Sequence, residues 1–491
     1  MSGPRIIRNI ARHPGQAALC IAAVVAAAVT GIAIPALAHV SESSAGNILN
    51  QIALIAALCV FSLASYVAWP SRWNVVAHLQ VGFCVSAYII PVLVVGVTDQ
   101  YPARTLRLYT VMCVLGAAVH LLGVIAGRLT FDSLTSRHPL RLPRPSEVRL
   151  TAIAGQRAGL LVALGAVGLA ASFYVIGFVP ILAEDPLQAK FLKGAYQNTY
   201  AQVAYLYRTS LYTLSTLLPV VLITWWLTRR PRLLLLAAVA AVLLAGAGNR
   251  GPALTGLALF VGLLCARDRR TTIMFVAGIA LLYPFVGSTL FYLLGSVAGS
   301  FQGIYADTDI FQVIASGTPD VSDHLLFLDR FLPYQDFTYG RTFYGGLIPF
   351  QYRWSPAVWT LGVLYPGVDS NATVSGGLRL PVAIWGFTAF GWPGVVGLSS
   401  VSGFLLGLVS RLAAREVGNG SLLRSTALLT LYITVGTQIA TFYLLSIYSL
   451  PAIAVAVAVA WPWLAESRSV GKAGPKVAAG ADLSRAATVG R

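Results

Sequence analysis

Apolar residues fall in long unbroken runs along this chain, and polar residues gather in the gaps between them. About 20 apolar residues in a helix cross the roughly 30 Å hydrocarbon core of a bilayer. Runs of this kind mark about twelve candidate spans, at 17–39, 48–69, 75–97, 108–127, 158–178, 207–228, 233–247, 252–266, 272–293, 391–411, 422–441 and 450–464. The pattern predicts an all-α polytopic membrane protein. Residues 1–464 read as a single transmembrane domain, and 465–491, poor in large apolar residues, as a disordered cytoplasmic tail. The first run follows Arg5, Arg8 and Arg12 without a clean cleavage site, so it reads as an uncleaved helix rather than a signal peptide.

Composition sharpens this picture. The chain of 491 residues is 57% hydrophobic and 10% charged, against about 25% charged in a soluble domain, and its mean hydropathy is +0.74. The net charge of +17 raises the question of nucleic acid, but its distribution answers it. If the N-terminus is cytoplasmic, the inner segments are 1–16, 70–74, 128–157, 229–232, 267–271, 411–424 and 465–491. They hold 24 of the 34 Lys and Arg and 6 of the 17 Asp and Glu, leaving 10 and 11 elsewhere. Basic residues concentrated on one side are the positive-inside signature of a membrane protein with both termini in the cytoplasm; no RNA- or DNA-binding pattern accompanies them. The five cysteines lie in or beside apolar runs, which predicts small buried residues rather than a disulfide framework.

Two outer segments are larger than connectors need to be, 179–207 and 294–383. The second, between the ninth and tenth spans, is rich in Gly, Pro and aromatics and predicts short helices and turns folded over the membrane domain. The inner loop 128–157, with "RHPLRLPRPSEVR", reads as a basic surface linker near anionic lipid.

One gap is unusual. "LLAGAGNRGPALTGLALF" (243–260) is bracketed by Arg229, Arg230 and Arg232 before it and Arg267, Arg269 and Arg270 after it. The chain therefore leaves the cytoplasm and returns, turning at Gly248-Asn249-Arg250-Gly251. Arms of about 15 residues span roughly 22 Å, short of a bilayer core, so the turn lies below the outer face. An arginine at that depth costs at least about 2.5 kcal/mol unless it meets a cavity or a partner. Gly248 and Gly251 permit a tight turn, and Pro252 suits the first turn of the returning helix. Free N–H groups at that helix start beside a guanidinium make an anion site; the plainer alternative is that Arg250 snorkels to headgroups or pairs with an outer Asp.

The long outer segment adds Asp307, Asp309, Asp320, Asp323, Asp329, Asp336, Asp369, Arg330, Arg341, Arg353, Arg379 and His324, interleaved with Phe337, Tyr339, Phe343, Tyr344, Tyr352, Trp354 and Trp359. Carboxylates, guanidiniums and aromatic faces together suit a sugar; a folded lid with interfacial aromatics is the competing explanation. His78 and His120, within spans, read as interhelical hydrogen-bonding groups. Asp307-x-Asp309 and Glu184-Asp185 do not amount to a metal site, and Asn371-Ala372-Thr373 matches a glycosylation acceptor by spelling alone.

Four stretches, in order, resemble the Wzy-type oligosaccharide repeat-unit polymerases of bacterial O-antigens and exopolysaccharides. They are "GFVPIL" with "KFLKG" (177–194), "GNRG" (248–251), "FTYGRTFYGGLIPFQYRW" (337–354) and "ATVSGGLRLPVAIWGFTAFGWPGVVGLSSVSGFLLG" (372–407). The likeness covers roughly 170–410. The third stretch departs from the family's Pro-Arg before the Trp, reading Pro349-Phe350-Gln351-Tyr352-Arg353. The resemblance implies a GT-C-like membrane glycosyltransferase of the bacterial inner membrane, with no cofactor and no metal. Its partners would be a polyprenyl pyrophosphate-linked donor and acceptor, membrane lipid and a chain-length regulator, and no nucleic acid. Arg250, helped by Arg341 or Arg353, would stabilise the leaving pyrophosphate; His324, Asp336 or Asp329 would serve as base; Asn249, Gly251, Arg379, Asp369, Tyr339, Trp354 and Arg208 would bind substrate. A ligase that attaches finished glycan to another acceptor shares these features, and twelve helices also suit a transporter of the lipid-linked oligosaccharide, although no internal repeat is visible.

Overall fold

The structure, a computed structural model, describes residues 44–98, 101–137, 147–248, 250–298, 320–333, 336–348, 351–368, 377–437 and 450–470. The expected span at 17–39, the Asp307 and Asp309 pair, Asn249, Asp369, the 371–373 triplet and the tail beyond Val470 lie outside these residues. Among the described residues every regular element is helical.

In chain order, α1 (Ser44–Leu63) is followed by α2 (Val75–Cys84), which passes through a π-helical turn at Val85–Ile89 into α3 (Ile90–Thr98). The π turn precedes Pro91, whose ring cannot donate an N–H and would clash with a carbonyl four residues back. Asn74 starts α2, its side chain accepting from the Ala77 N–H at 3.3 Å. Next come α4 (Ala103–Arg137) and α5 (Glu147–Ile176). Both reach well into the stretch expected as a basic linker. The helices stop where Pro139, Pro143 and Pro145 cluster, and they extend that far because nothing before or after those prolines breaks a helix. A short α6 (Pro186–Phe191) precedes α7 (Ala204–Thr228), α8 (Pro231–Gly246), α9 (Arg250–Cys265) and α10 (Arg269–Ala298). The remainder is α11 (Asp320–Phe331), α12 (Pro356–Leu364), α13 (Val382–Phe390), α14 (Trp392–Glu416), α15 (Leu422–Leu431) and α16 (Leu450–Val470).

Five helical stretches are long and apolar enough to cross a membrane: Val75–Val95, Ala103–Thr135, Arg149–Leu182, Ala204–Thr228 and Trp392–Glu416. Shorter apolar helices accompany them at Leu49–Leu63, Pro231–Gly246, Ala253–Cys265, Leu422–Gly436 and Leu450–Leu464. The protein is thus an all-α chain with the helices of a membrane protein.

Two hydrophobic cores organise the bundle. One gathers α5, α7, α8, α9, α15 and α16, with Leu169, Leu214, Leu217, Val220 and Ile223 fully buried. The other gathers α1, α3, α4, α11, α12 and α13, around Leu54, Tyr109, Met112, Leu325, Phe327 and Trp385. Helix α14 reaches both, through Ala413 and Val395.

The tightest contact is the parallel pair α4–α14. A methyl group on Gly123, Gly127, Gly403 or Gly407 would collide with a backbone carbonyl of the facing helix: Ser400, Phe404, His120 and Val124 respectively. Such small-residue seams let helices associate where lipid removes the hydrophobic drive between them. His120 sits in the seam with Nδ1 3.3 Å from the Ser399 carbonyl oxygen, the interhelical role expected of it. At one end of the seam Arg411 meets Asp132 at 2.7 Å, with Arg128 3.8 Å from the same carboxylate.

Among the described residues of the segment expected as an outer roof, α11 and α12 are wedged into the second core. Helix α11 buries Val321, His324, Leu325, Leu328 and Phe331 along one face, the spacing of an amphipathic helix. Helix α13, expected partly as loop, packs back on α14 as a hairpin so close that Gly386 and Gly394 meet backbone to backbone. Its Ala383 Cβ lies 2.6 Å from where a Gly116 Cβ would stand, about 20 Å along α4 from its first residue. The chain re-enters the bundle because "VAIWGFTAF" is apolar throughout, and Gly391, at φ +68°, reverses it.

The seam makes a direct prediction. Gly403→Leu should destabilise the purified protein by about 1–3 kcal/mol or more, lowering its melting temperature in detergent. Gly397→Ala, on the same helix with nothing within 4 Å of the new methyl, should leave it unchanged; equal melting temperatures for all three would refute the seam.

Candidate functional site

Two polar clusters arise from the four motif stretches, and a third joins Arg379 of the last stretch to α11 and α4. The first joins "GFVPIL…KFLKG" to the glycine turn. Helices α8 and α9 have 16 residues each, about 24 Å of rise, less than a bilayer core. The turn is narrower than expected: Ala247 and Gly248 close it by bonds to the Leu243 and Ala245 carbonyls at 3.0 and 2.8 Å, and Arg250 is already the first residue of α9. Gly248 has φ +71°, and the Lys190 stem crosses it, with Cγ, Cβ and Cδ 3.0–3.3 Å from where a Cβ would stand. A side chain at 248 is barred both by conformation and by this contact. Val179 Cγ1 lies 3.1 Å from the corresponding point of Gly246. The segment between α5 and α7 thus delivers a lysine onto the turn where α9 begins with an arginine. Lys190 opens the "KFLKG" piece of the first motif stretch, but the sequence alone suggests no role for it, because nothing in its surroundings distinguishes it from a solvated loop lysine.

The second cluster lies where the third motif stretch meets the fourth. The Thr338 and Tyr339 N–H groups donate to the Thr388 and Ala389 carbonyls at the end of α13, at 2.9 and 3.1 Å. Phe337 packs edge-on against Phe387 at 6.2 Å. Tyr339 is held at φ +50° with its ring exposed, a conformation that strains a bulky residue by about 1–3 kcal/mol. A single helical turn at Arg341–Tyr344 and another at Tyr352–Trp354 then bring Arg341 and Arg353 over the same indole, 5.0 and 5.6 Å from the Trp354 ring centre. Among the described residues no carboxylate lies within 4.0 Å of either guanidinium. Two cations sharing one ring with no counter-charge form a surface that attracts anions and offers an aromatic platform. Asp336 stands exposed just before this stretch.

The third cluster is buried. His324 is 1% exposed. Its Nε2 donates to the Arg379 carbonyl at 2.8 Å, and its Nδ1 therefore accepts from the Tyr109 hydroxyl at 2.8 Å. With both nitrogens engaged His324 has no lone pair for a substrate proton: it is a clamp joining α4, α11 and the segment before α13. The expectation of a base at this position gives way to that geometry. Beside it Asp320, itself buried, has Oδ1 3.7 Å from Arg379 Nε and an Oδ2 with no hydrogen-bond partner among the described residues. Asp329 accepts from Thr105 at 3.2 Å, which makes it a tether of α11 to α4. Arg208 lies half-buried on α7.

Burial holds the His324 imidazole down at about 4 despite the Asp320 charge nearby. Burial together with Asp320 lifts the Asp323 carboxyl to about 7, with Arg379 opposing. The two act on stability with opposite sign. Between pH 6.5 and about 4 the unfolded chain protonates His324 and the folded one does not, so its contribution is full above 6.5 and is lost as pH falls. Between pH 3.8 and about 7 the folded chain keeps the Asp323 proton that the unfolded chain releases, so its contribution is full below 3.8 and is lost as pH rises. The wild-type segment should therefore be nearly flat over pH 4–6.5. Asp323→Asn should make α11 labile to acid, read as amide hydrogen exchange of α11 at pH 4.5 against 6.5, corrected for intrinsic rates. A flat profile in the variant would contradict this assignment.

No protein-family model, curated protein or solved structure matches the chain.

Proposed function

We propose that this protein is a membrane glycosyltransferase that polymerises lipid-linked oligosaccharide. It transfers a growing glycan from a polyprenyl pyrophosphate carrier to the non-reducing end of a lipid-linked repeat unit at the outer leaflet. The observation that carries the reading is the seat of Lys190 across Gly248 at the start of α9, between two helices too short to span a bilayer. A lysine stem lies there against the turn at which a helix begins; at the membrane depth that this reading gives the turn, such a site suits a lipid-borne diphosphate. The topology in this reading is twelve spans of the GT-C kind, both termini cytoplasmic, in a bacterial inner membrane.

In this reaction the acceptor hydroxyl oxygen attacks the anomeric carbon. The bond from that carbon to the phosphate oxygen breaks, and its electron pair leaves with the pyrophosphate. Arg250, Lys190 and the N-terminus of α9 stabilise the charge that builds there, where a low dielectric strengthens fixed cations. Arg341 and Arg353 over Trp354, with Tyr339, form the platform for sugar rings. Asp336 is the candidate to take the hydroxyl proton. Arg379, Asp320 and Asp323 read sugar hydroxyls at the edge of the buried cluster; Asn249, Gly251, Asp369 and Arg208 complete the substrate contacts.

Purified protein reconstituted with lipid-linked repeat units should yield a ladder of polymer on gels. Arg250→Ala and Arg250→Lys should each lower the rate by about a hundredfold or more, because lysine keeps charge but not the planar fork. Normal chain length in both variants would remove Arg250 from the mechanism. Glycan moved only to a non-lipid acceptor would make the protein a ligase instead, and movement of intact precursor across the vesicle wall would make it a transporter.

A further inference from the structure

At the end of the bundle away from the Gly248 turn, two further turns lie side by side. One joins α7 to α8 and carries Arg229, Arg230 and Arg232; the other joins α9 to α10 and carries Arg267, Arg269 and Arg270. Leu218 of α7 packs on Gly256 of α9, and Trp225 and Trp226 meet Phe260 at 6.4 and 6.3 Å. The two helices therefore run parallel and finish together. All six arginines are exposed, and among the described residues none has a carboxylate within 4.0 Å. The one acid in these turns, Asp268, is engaged elsewhere: it accepts from the Arg270 and Thr271 N–H groups, at 3.0 Å each, to start α10.

The patch is also preorganised. Arg229 ends α7 in the left-handed region, at φ +54°, and its guanidinium lies 4.0 Å over the Trp226 ring and 5.9 Å from Trp225. A guanidinium stacked on an indole keeps its N–H edge free and loses less freedom on binding than a swinging side chain. Directly beside it Leu227, Leu234 and Leu235 are exposed, at 42%, 41% and 67%. Unpaired cations bordered by exposed aliphatic residues match a phosphodiester with acyl chains attached, rather than a free anion.

We propose that the α7–α8 and α9–α10 turns together form a binding site for the headgroups of anionic phospholipid. The phosphates sit between the two arginine triplets, and the acyl chains lie along the exposed leucines of α7 and α8. The site is separate from the pyrophosphate chemistry proposed above and does not depend on it.

The test is lipid retention by the intact purified protein, measured by native mass spectrometry after titration with phosphatidylglycerol or phosphatidylcholine in detergent. The wild type should retain phosphatidylglycerol about tenfold better, with the preference lost in high salt. Arg229→Gln, Arg230→Gln and Arg232→Gln together should abolish the preference, as should the same change at Arg267, Arg269 and Arg270. The Arg-to-Lys triplet at 229, 230 and 232 keeps the charge if the Gln variant fails to fold, and should lose part of the preference with the Trp226 stack. Arg104→Gln, an exposed arginine at the start of α4, should change nothing. Equal retention of the two lipids by the wild type, or unchanged retention in folded triple variants, would overturn the proposal. So would displacement of phosphatidylglycerol by inorganic phosphate at the same phosphate concentration.

Discussion

The close approach of α4 and α14 is the constraint on which the rest of the structure depends. In a bilayer apolar side chains gain nothing by leaving lipid for each other, so helices associate through packing and interhelical polar contacts. Here the helices touch backbone to backbone at Gly123, Gly127, Gly403 and Gly407. Because α14 belongs to both hydrophobic cores, the seam also couples them. At one end the seam is closed by Arg411 and Asp132. Toward the other it opens where α13 inserts beside Gly116.

That insertion decides where the polar chemistry sits. With α13 drawn into the bundle, the segment before it is pulled down with it, and the Arg379 carbonyl comes within reach of His324. His324 in turn holds Tyr109 of α4. The aromatic stretch at 337–354 is then fastened to the top of α13 by backbone hydrogen bonds, so the Trp354 platform is carried by a rigid hairpin rather than by a free loop. A buried imidazole next to two carboxylates is the polar cost of this arrangement; the opposite shifts of His324 and Asp323 keep proton uptake by the folded segment close to balanced.

The two remaining basic clusters lie at opposite ends of α8 and α9. In the topology proposed here, helices of 16 residues would leave the Gly248 turn within the depth of a membrane while the arginine triplets stay at the surface. In that reading, one end would offer cations where water is scarce, which would favour an ionic substrate over solvent. The other offers them beside exposed leucines, which favours lipid. The same physical preference of guanidinium for phosphate would serve both proposed ligands.

Sequence alone determined the all-helical, membrane-type class, the positions of most helices and the glycine turn, because apolar runs, prolines and positive-φ glycines act locally. It also marked Arg250, Arg341, Arg353 and Trp354 as chemically unusual, since charge and aromatic density are properties of composition. Only the tertiary structure decided the rest. The extent of α4 and α5 into the basic stretch, the burial of α11 and the re-entry of α13 depend on which partner each apolar face finds. His324 and Asp336 look equally like bases in one dimension; burial and two hydrogen bonds make the first a clamp and leave the second exposed. Lys190 gained its place from a contact across 58 residues of chain, a separation at which local pattern carries no information.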